Sequence, residues 1–309
     1  MTHSVSGPLI TLQESGASIR FGSSHMIAEC LPHFGGRMSA LRLIGADGPR
    51  DLIMPMQGWP DPPWRWPKTG AYPLFPYSNR IRNARLALDD RFIALQPHPD
   101  AGPHTVHGPA HLRGWRCAAQ DAASATLALD YAADEDWPWA FQARQRFAID
   151  GTTIKIGLDL TNTGSVPFPG GFGWHPYFRF GPDAVVEHDA RVLWLQDADA
   201  IATGQTRPAL PPHAATEYLS DWRRASIIHR DGLRLEVTAD PIFAHLVCHR
   251  PDCDAYACIE PVSHVADAVN LAARGIKGTG VQMLEPGASL SGTITLRVCL
   301  PEAVTGSTP

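Results

Sequence analysis

The sequence predicts an all-β protein of antiparallel strands joined by long loops. Three observations carry this. Short runs with apolar residues at alternate positions dominate, while helical periodicity is scarce. Glycine (27 residues) and proline (28) are abundant enough to interrupt most stretches in which a helix would form. Asp-Gly pairs separate neighbouring alternating runs, the sequence form of a tight hairpin.

Residues 9–12 form the first strand-like run. Residues 54–77 read as a loop, with Pro55, Pro60, Pro62, Pro63, Pro67, Pro73 and Pro76 among them. Trp59, Trp64 and Trp66 argue against disorder there, because large apolar rings seek burial. A second loop, 98–115, is rich in histidine, glycine and proline. Residues 141–149 alternate, with apolar side chains at 141, 143, 147 and 149, and Asp150-Gly151 turns the chain into the run 153–160. Asn162-Thr163-Gly164 ends that run. Residues 192–195 follow, then 225–228 and 233–237 about Asp231-Gly232, and finally 293–298. No repeat or linker divides the chain, so residues 1–309 are expected as a single domain whose tail frays after Leu300.

The bulk properties exclude several function classes. With a net charge of -5 and no basic run, the chain lacks the electrostatic footprint of a nucleic-acid binder. No apolar stretch approaches the roughly 20 residues of a membrane span. Residues 1–10 lack a basic segment followed by an apolar core, so a cytoplasmic location is expected. Of the six cysteines, none forms a C-x-x-C pair. Cys248, Cys253 and Cys258 recur every five residues, a spacing that alternates strand faces and is too wide for a zinc knuckle. Free thiols in a reducing compartment are the expectation.

The candidate chemistry centres on His175 and Glu260. His175 stands before Pro176, which biases it to extended backbone, and after Gly170, Gly171 and Gly173, which permit close approach of a ligand. Imidazole can donate or accept a proton near neutrality; a structural histidine in a β corner would read the same. Glu260 stands before Pro261 at the end of an apolar run. A carboxylate there points into the interior or a cleft, and needs partners or a purpose. A salt bridge closing the strand would satisfy it as well.

His104, His107 and His111 form an H-x2-H-x3-H cluster, which could bind a metal on a helix. Pro103, Gly108 and Pro109 break any helix there, so no metal site is expected and His107 is retained as a ligand-binding residue. Asn79-Arg80 closes the proline-rich loop, and Arg80 offers a rigid fork of donors. Asp221-Trp222 pairs a carboxylate with a flat indole, a combination that suits a sugar. An ion pair at Arg80 and a turn at Asp221 are the plain alternatives.

Taken in order, these segments resemble the aldose 1-epimerase (galactose mutarotase) family over most of the chain. Residues 73–81, His107-Gly108 with Trp115 downstream, residues 162–178, and Cys258-Ile259-Glu260-Pro261 with Asn270 after it carry the resemblance. It implies a large twisted antiparallel β-sandwich and cofactor-independent interconversion of the α and β anomers of an aldose. Glu260 would be the base at the C1 hydroxyl and His175 the acid at the ring oxygen. Arg80, His107, Asn79 and Asp221 would bind substrate. No metal or nucleotide is implied; the partner is a small sugar, and the protein a monomer or homodimer. Ring opening needs one proton removed and one delivered on different oxygens, which a carboxylate and an imidazole with separated pKa values can do together.

The sequence departs from the family where His107-Gly108-Pro109 replaces its usual His-Gly-Gly, and around Asp221 the pattern is poor. Arg82, Arg85, Arg113 and Arg116 flank the candidate segments and would suit an anionic sugar such as a phosphate or sulfonate, unless they are solvated edge charges. Three other readings stay open: a non-catalytic carbohydrate-binding protein, a metal-dependent β-barrel enzyme using His104, His107 and His111, and isomerase or lactonase chemistry on a sugar acid.

Overall fold

A computed structural model describes residues 18–56, 67–88, 90–212, 215–251 and 255–300. Those residues are mostly strand, with a single short α-helix among them, Ala268–Ala273. The early run 9–12, Trp59, Trp64, Trp66, Cys253 and the tail after Leu300 lie outside the described residues.

Two antiparallel sheets make the body. In the smaller, the order is Arg116–Gln120, Ser124–Tyr131, Phe141–Asp150, Thr153–Asn162, Ser289–Cys299, Arg234–Ala239, Ala225–Ile228 and Val185–His188. The alternation read from the sequence is the burial pattern observed. Phe141, Ala143, Phe147 and Ile149 are buried, whereas Arg144, Arg146 and Ala148 face solvent. Asp150 pairs with Thr153, leaving Gly151 and Thr152 as a two-residue hairpin loop in which Gly151 takes φ 55°. Around Asp231-Gly232 the turn is wider, since the ladder resumes only at the Ile228–Arg234 pair.

The larger sheet runs Ile19–Gly22, Met26–Leu31, Arg37–Gly45, Ala71–Leu74, Gly173–Pro176, Tyr256–Val262, His245–His249, Thr216–Ser220, Val192–Gln196 and Ala202–Pro208. Its two faces bury different things. Ala257, Ile259 and Leu246 join Phe141, Phe147, Ile156 and Leu296 of the smaller sheet in the main core. Each of these isoleucine, leucine and phenylalanine side chains contributes about 1.5–3 kcal/mol on burial. Tyr72, Leu74, Tyr177, Tyr218, Val247, Cys258 and Val262 form a second cluster. Because neighbours along a strand point to opposite faces, Cys258 and Glu260 share the face of that second cluster.

One expectation is corrected. The segment 54–77 contains a strand, Ala71–Leu74, in the middle of the larger sheet. Pro73 lacks an N–H, which argues for a loop. The strand tolerates it because its ladder to Arg37–Gly45 is limited to the Met38–Ala71 pair, so little donation is needed on that side. On the other side the register is continuous, from Leu74 opposite Gly173 to Ala71 opposite Pro176.

Candidate active site

Three adjacent strands bring Tyr72, His175 and Glu260 together. His175 is in register with Tyr72, and Gly173, two residues earlier on the same face, is in register with Val262. A side chain at Gly173 would lie 2.6 Å from Val262 Cγ1, so the close approach of these strands requires glycine. His175 Nε2 then sits 3.3 Å from Glu260 Oε1, with the residues 6% and 3% exposed. The imidazole packs against two phenol rings that also neighbour each other, Tyr72 with its centroid at 4.7 Å and Tyr177 at 4.8 Å. The Arg37 guanidinium lies 4.4 Å from the centroid of the Tyr72 ring.

A second set approaches from the loops. His107 has φ 67° and Gly108 φ 65°; a side chain at Gly108 would fall 2.0 Å from the Phe75 carbonyl oxygen. The Asn79 N–H donates to His107 Nδ1 at 3.2 Å, and the His107 N–H donates to the Asn79 carbonyl at 2.9 Å. Nδ1 therefore accepts, and the neutral ring carries its proton on Nε2. The His107 ring lies edge-on to His175, with centroids 5.3 Å apart. Pro109, the departure from the family pattern, has φ -79° and leads into the short 3-10 turn Ala110–Leu112, a geometry proline favours.

Arg80 follows at the head of the short strand Arg80–Ile81. Its N–H donates to Asn79 Oδ1 at 2.8 Å, and its carbonyl accepts from the Asp267 N–H at 2.8 Å. Its side chain is within hydrogen-bonding reach of the Tyr218 phenol. Tyr218 donates to the Ala200 carbonyl at 2.7 Å and faces Asn79 Oδ1 at 3.3 Å. Tyr218, Val247 and Glu260 are successive partners across three strands, so Tyr218 shares the face of Glu260.

Asp221 is not brought to this group. It takes φ 55° in a turn, faces Arg191 at 3.9 Å, and its side chain is 61% exposed. Trp222 donates its indole N–H to the Phe243 carbonyl at 2.8 Å and packs against the main core. Aspartate tolerates the left-handed turn, and the indole serves packing. The three loop histidines do not converge either. His104 Nδ1 accepts from the Asn83 N–H at 3.0 Å and its Nε2 lies 3.7 Å from Asp199, while the His107 and His111 rings stand edge-on at 6.3 Å. The four arginines that would read an anion are engaged elsewhere. Arg82 pairs with Asp197 and Asp199, Arg113 with Asp134 and Asp136, Arg116 with Asp130, and Arg85 lies over the Phe92 ring.

Burial sets the electrostatics. It pushes the Glu260 carboxyl up to about 8, against the pull of the Lys68 ammonium. Burial, then the charges of His249, Lys68 and Arg37, holds His175 well below the usual imidazole value. His107 is lowered likewise, by burial first and then by His175. An ionised Glu260 is thus a stronger base than an ordinary carboxylate, and a protonated His175 a stronger acid than an ordinary imidazolium. Each shift favours proton transfer with a bound molecule.

Lys68, Tyr72 and Tyr218 were not legible as site residues. Lys68 has no local signal, and its electrostatic reach to Glu260, Cys258 and His175 exists only in the fold. Tyr72 precedes the Pro-Leu-Phe-Pro-Tyr run, where the aromatic content was the available clue.

The model of the aldose 1-epimerase family matches residues 32–297. YphB, an uncharacterized protein of Escherichia coli (strain K12), is 26% identical over 248 residues, covering 74% of this chain and 83% of its own. Among solved structures, a candidate aldose 1-epimerase of Escherichia coli K12 superposes with a TM-score of 0.78 at 22% identity, over 92% of this chain and 99% of that one. A galactose mutarotase-like protein of Clostridium acetobutylicum gives 0.76 at 19% identity, over 92% and 95%. The fold is accordingly galactose mutarotase-like. Among the described residues no helix is long and apolar enough to cross a membrane.

Proposed function

Because the chain belongs to the aldose 1-epimerase family, we propose that it is a mutarotase, interconverting the α and β anomers of an aldose without a cofactor. The observation that carries this reading is the buried 3.3 Å contact between His175 Nε2 and Glu260 Oε1.

The reaction needs a proton taken from the C1 hydroxyl and one given to the ring oxygen. Glu260 takes the first; its raised pKa lets the carboxyl hold that proton once it has it. His175 gives the second, since burial makes its imidazolium ready to lose a proton. The C1–O5 bond breaks to the open aldehyde, the C1–C2 bond rotates, and reclosure reverses both transfers on the other face. Before sugar binds, the pair holds one proton between its two members. The neutral pair and the reactive ion pair have the same proton count, so their balance does not change with pH while that single proton is present. Lys68 favours the ionised Glu260. His107, with its proton on Nε2, and Arg80 donate to sugar oxygens, and Asn79 holds His107 in that tautomer.

A binding protein on the same fold would use the ring cluster of Tyr72, Tyr177 and Tyr218. It would have no use for a carboxylate and an imidazole pushed in opposite directions at contact distance, which favours catalysis. Polarimetry or proton NMR of freshly dissolved α-anomers tests the proposal. Faster equilibration with the protein, abolished by Glu260→Gln, is the expected result. No acceleration on neutral or anionic aldoses would refute it.

A further inference from the structure

We propose that His175, Cys258 and Glu260 form a capture site for a soft divalent cation of the Zn2+ or Cd2+ kind, whose occupation blocks the proton-transfer site. Cys258 and Glu260 are alternate residues of one strand, and His175 comes from its neighbour. One ligand atom from each lies within 4.8 Å of the other two, and all three residues are buried. Imidazole nitrogen, thiolate sulfur and carboxylate oxygen are all zinc donors, and three protein ligands leave a fourth position for water.

The spacing fits a tetrahedron. Zinc bonds to nitrogen and oxygen of about 2.0–2.2 Å give tetrahedral edges of about 3.3–3.6 Å. His175 Nε2 and Glu260 Oε1 already stand at 3.3 Å. A zinc–sulfur bond of about 2.3 Å calls for the sulfur to close by at most about 1.2 Å, within side-chain adjustment. On binding, the Cys258 thiol and the Glu260 carboxyl each release a proton to solvent, so that sulfur coordinates as thiolate and Glu260 as carboxylate, and His175 coordinates through its Nε2 lone pair. No electron is transferred. Magnesium and calcium fit poorly, since they want several oxygen ligands and the trio offers one carboxylate. Lys68 further disfavours a hard cation, which lacks the compensating bond to sulfur. Metal and sugar exclude each other because both need the same oxygen of Glu260 and nitrogen of His175. This exclusion rests on the mutarotase reading; the metal site itself does not.

Titration of the full chain with Co2+, monitored by absorbance, tests the site. One equivalent should give a thiolate-to-cobalt charge-transfer band and tetrahedral d–d bands, both displaced by Zn2+. Cys117 is exposed, so the titration is repeated in Cys117→Ser, where the bands should persist. Cys258→Ser and Cys258→Ala should abolish the charge-transfer band and weaken Zn2+ binding at least tenfold, with circular dichroism reporting that each variant is folded. Bands that survive in both folded variants, or the absence of one-to-one binding, would overturn the site. Anomerisation measured in parallel should fall as Zn2+ binds and recover with chelator. An unchanged rate in the metal-loaded protein would overturn the block. Metal binding at Cys258 without any anomerisation by the metal-free protein would keep the site and reject the mutarotase reading.

Discussion

His175 and Glu260 face each other at 3.3 Å with almost no access to solvent, and burial drives their proton affinities in opposite directions. Everything proposed about chemistry turns on that contact, and each part of its surroundings yields a measurable consequence.

Replacing Glu260 by glutamine keeps the shape and removes the base. Anomerisation kcat should fall by about 10²–10⁴-fold with KM little changed. A further effect is expected on stability. The Glu260 carboxyl holds its proton more tightly folded, near 8, than at its ordinary value of 4.5. The native state therefore binds more protons than the unfolded chain between these values, and stability falls as pH rises through that window. Glu260→Gln lacks this penalty, so its melting temperature should exceed that of the wild type increasingly from pH 5 to pH 8. Parallel melting curves across that range would refute the raised value.

Lys68 should tune the pH profile. The rate requires one shared proton on the pair, so the alkaline limb of kcat/KM should lie near pH 8, where Glu260 loses it. Lys68 pulls Glu260 downward, and Lys68→Met should move that limb to higher pH. A limb that stays in place would remove Lys68 from the electrostatics of the pair.

Arg80→Ala removes a charged donor from the proposed binding set. A hydrogen bond to a charged group contributes about 1.5–3 kcal/mol, so KM should rise about 10- to 100-fold with a smaller change in kcat. Steady-state kinetics on the best aldose measures this; an unchanged KM would place Arg80 outside the sugar contacts.

Gly108→Ala should damage the fold around His107. The position combines φ 65° with a Cβ only 2.0 Å from the Phe75 carbonyl oxygen. The left-handed backbone alone costs about 1–2 kcal/mol for a residue with a Cβ, and the clash adds to it. Chemical denaturation should show a loss of about 2 kcal/mol or more; a variant as stable as wild type would contradict the tight packing of this loop.

The sequence by itself determined the strand character and much of the turn chemistry. Alternation over 141–149 and the Asp150-Gly151 pair depend on neighbours a few residues away, and they became the strand Phe141–Asp150 and its hairpin. The chemistry-bearing types at His175 and Glu260 were legible too, because a proline after each restrains the backbone and an apolar setting makes a polar side chain conspicuous. Only the tertiary structure decided which side chains meet. Ala71–Leu74, judged a loop from its prolines, became a central strand because its neighbours in the sheet supply the pairing that local propensity opposes. That placement put Tyr72 on His175. Asp221 has a composition that suits a sugar, and only the fold shows it in a left-handed turn facing Arg191. Spacing along a chain governs local geometry, whereas the site is assembled across sheet neighbours far apart in sequence, an order set by burial of the whole.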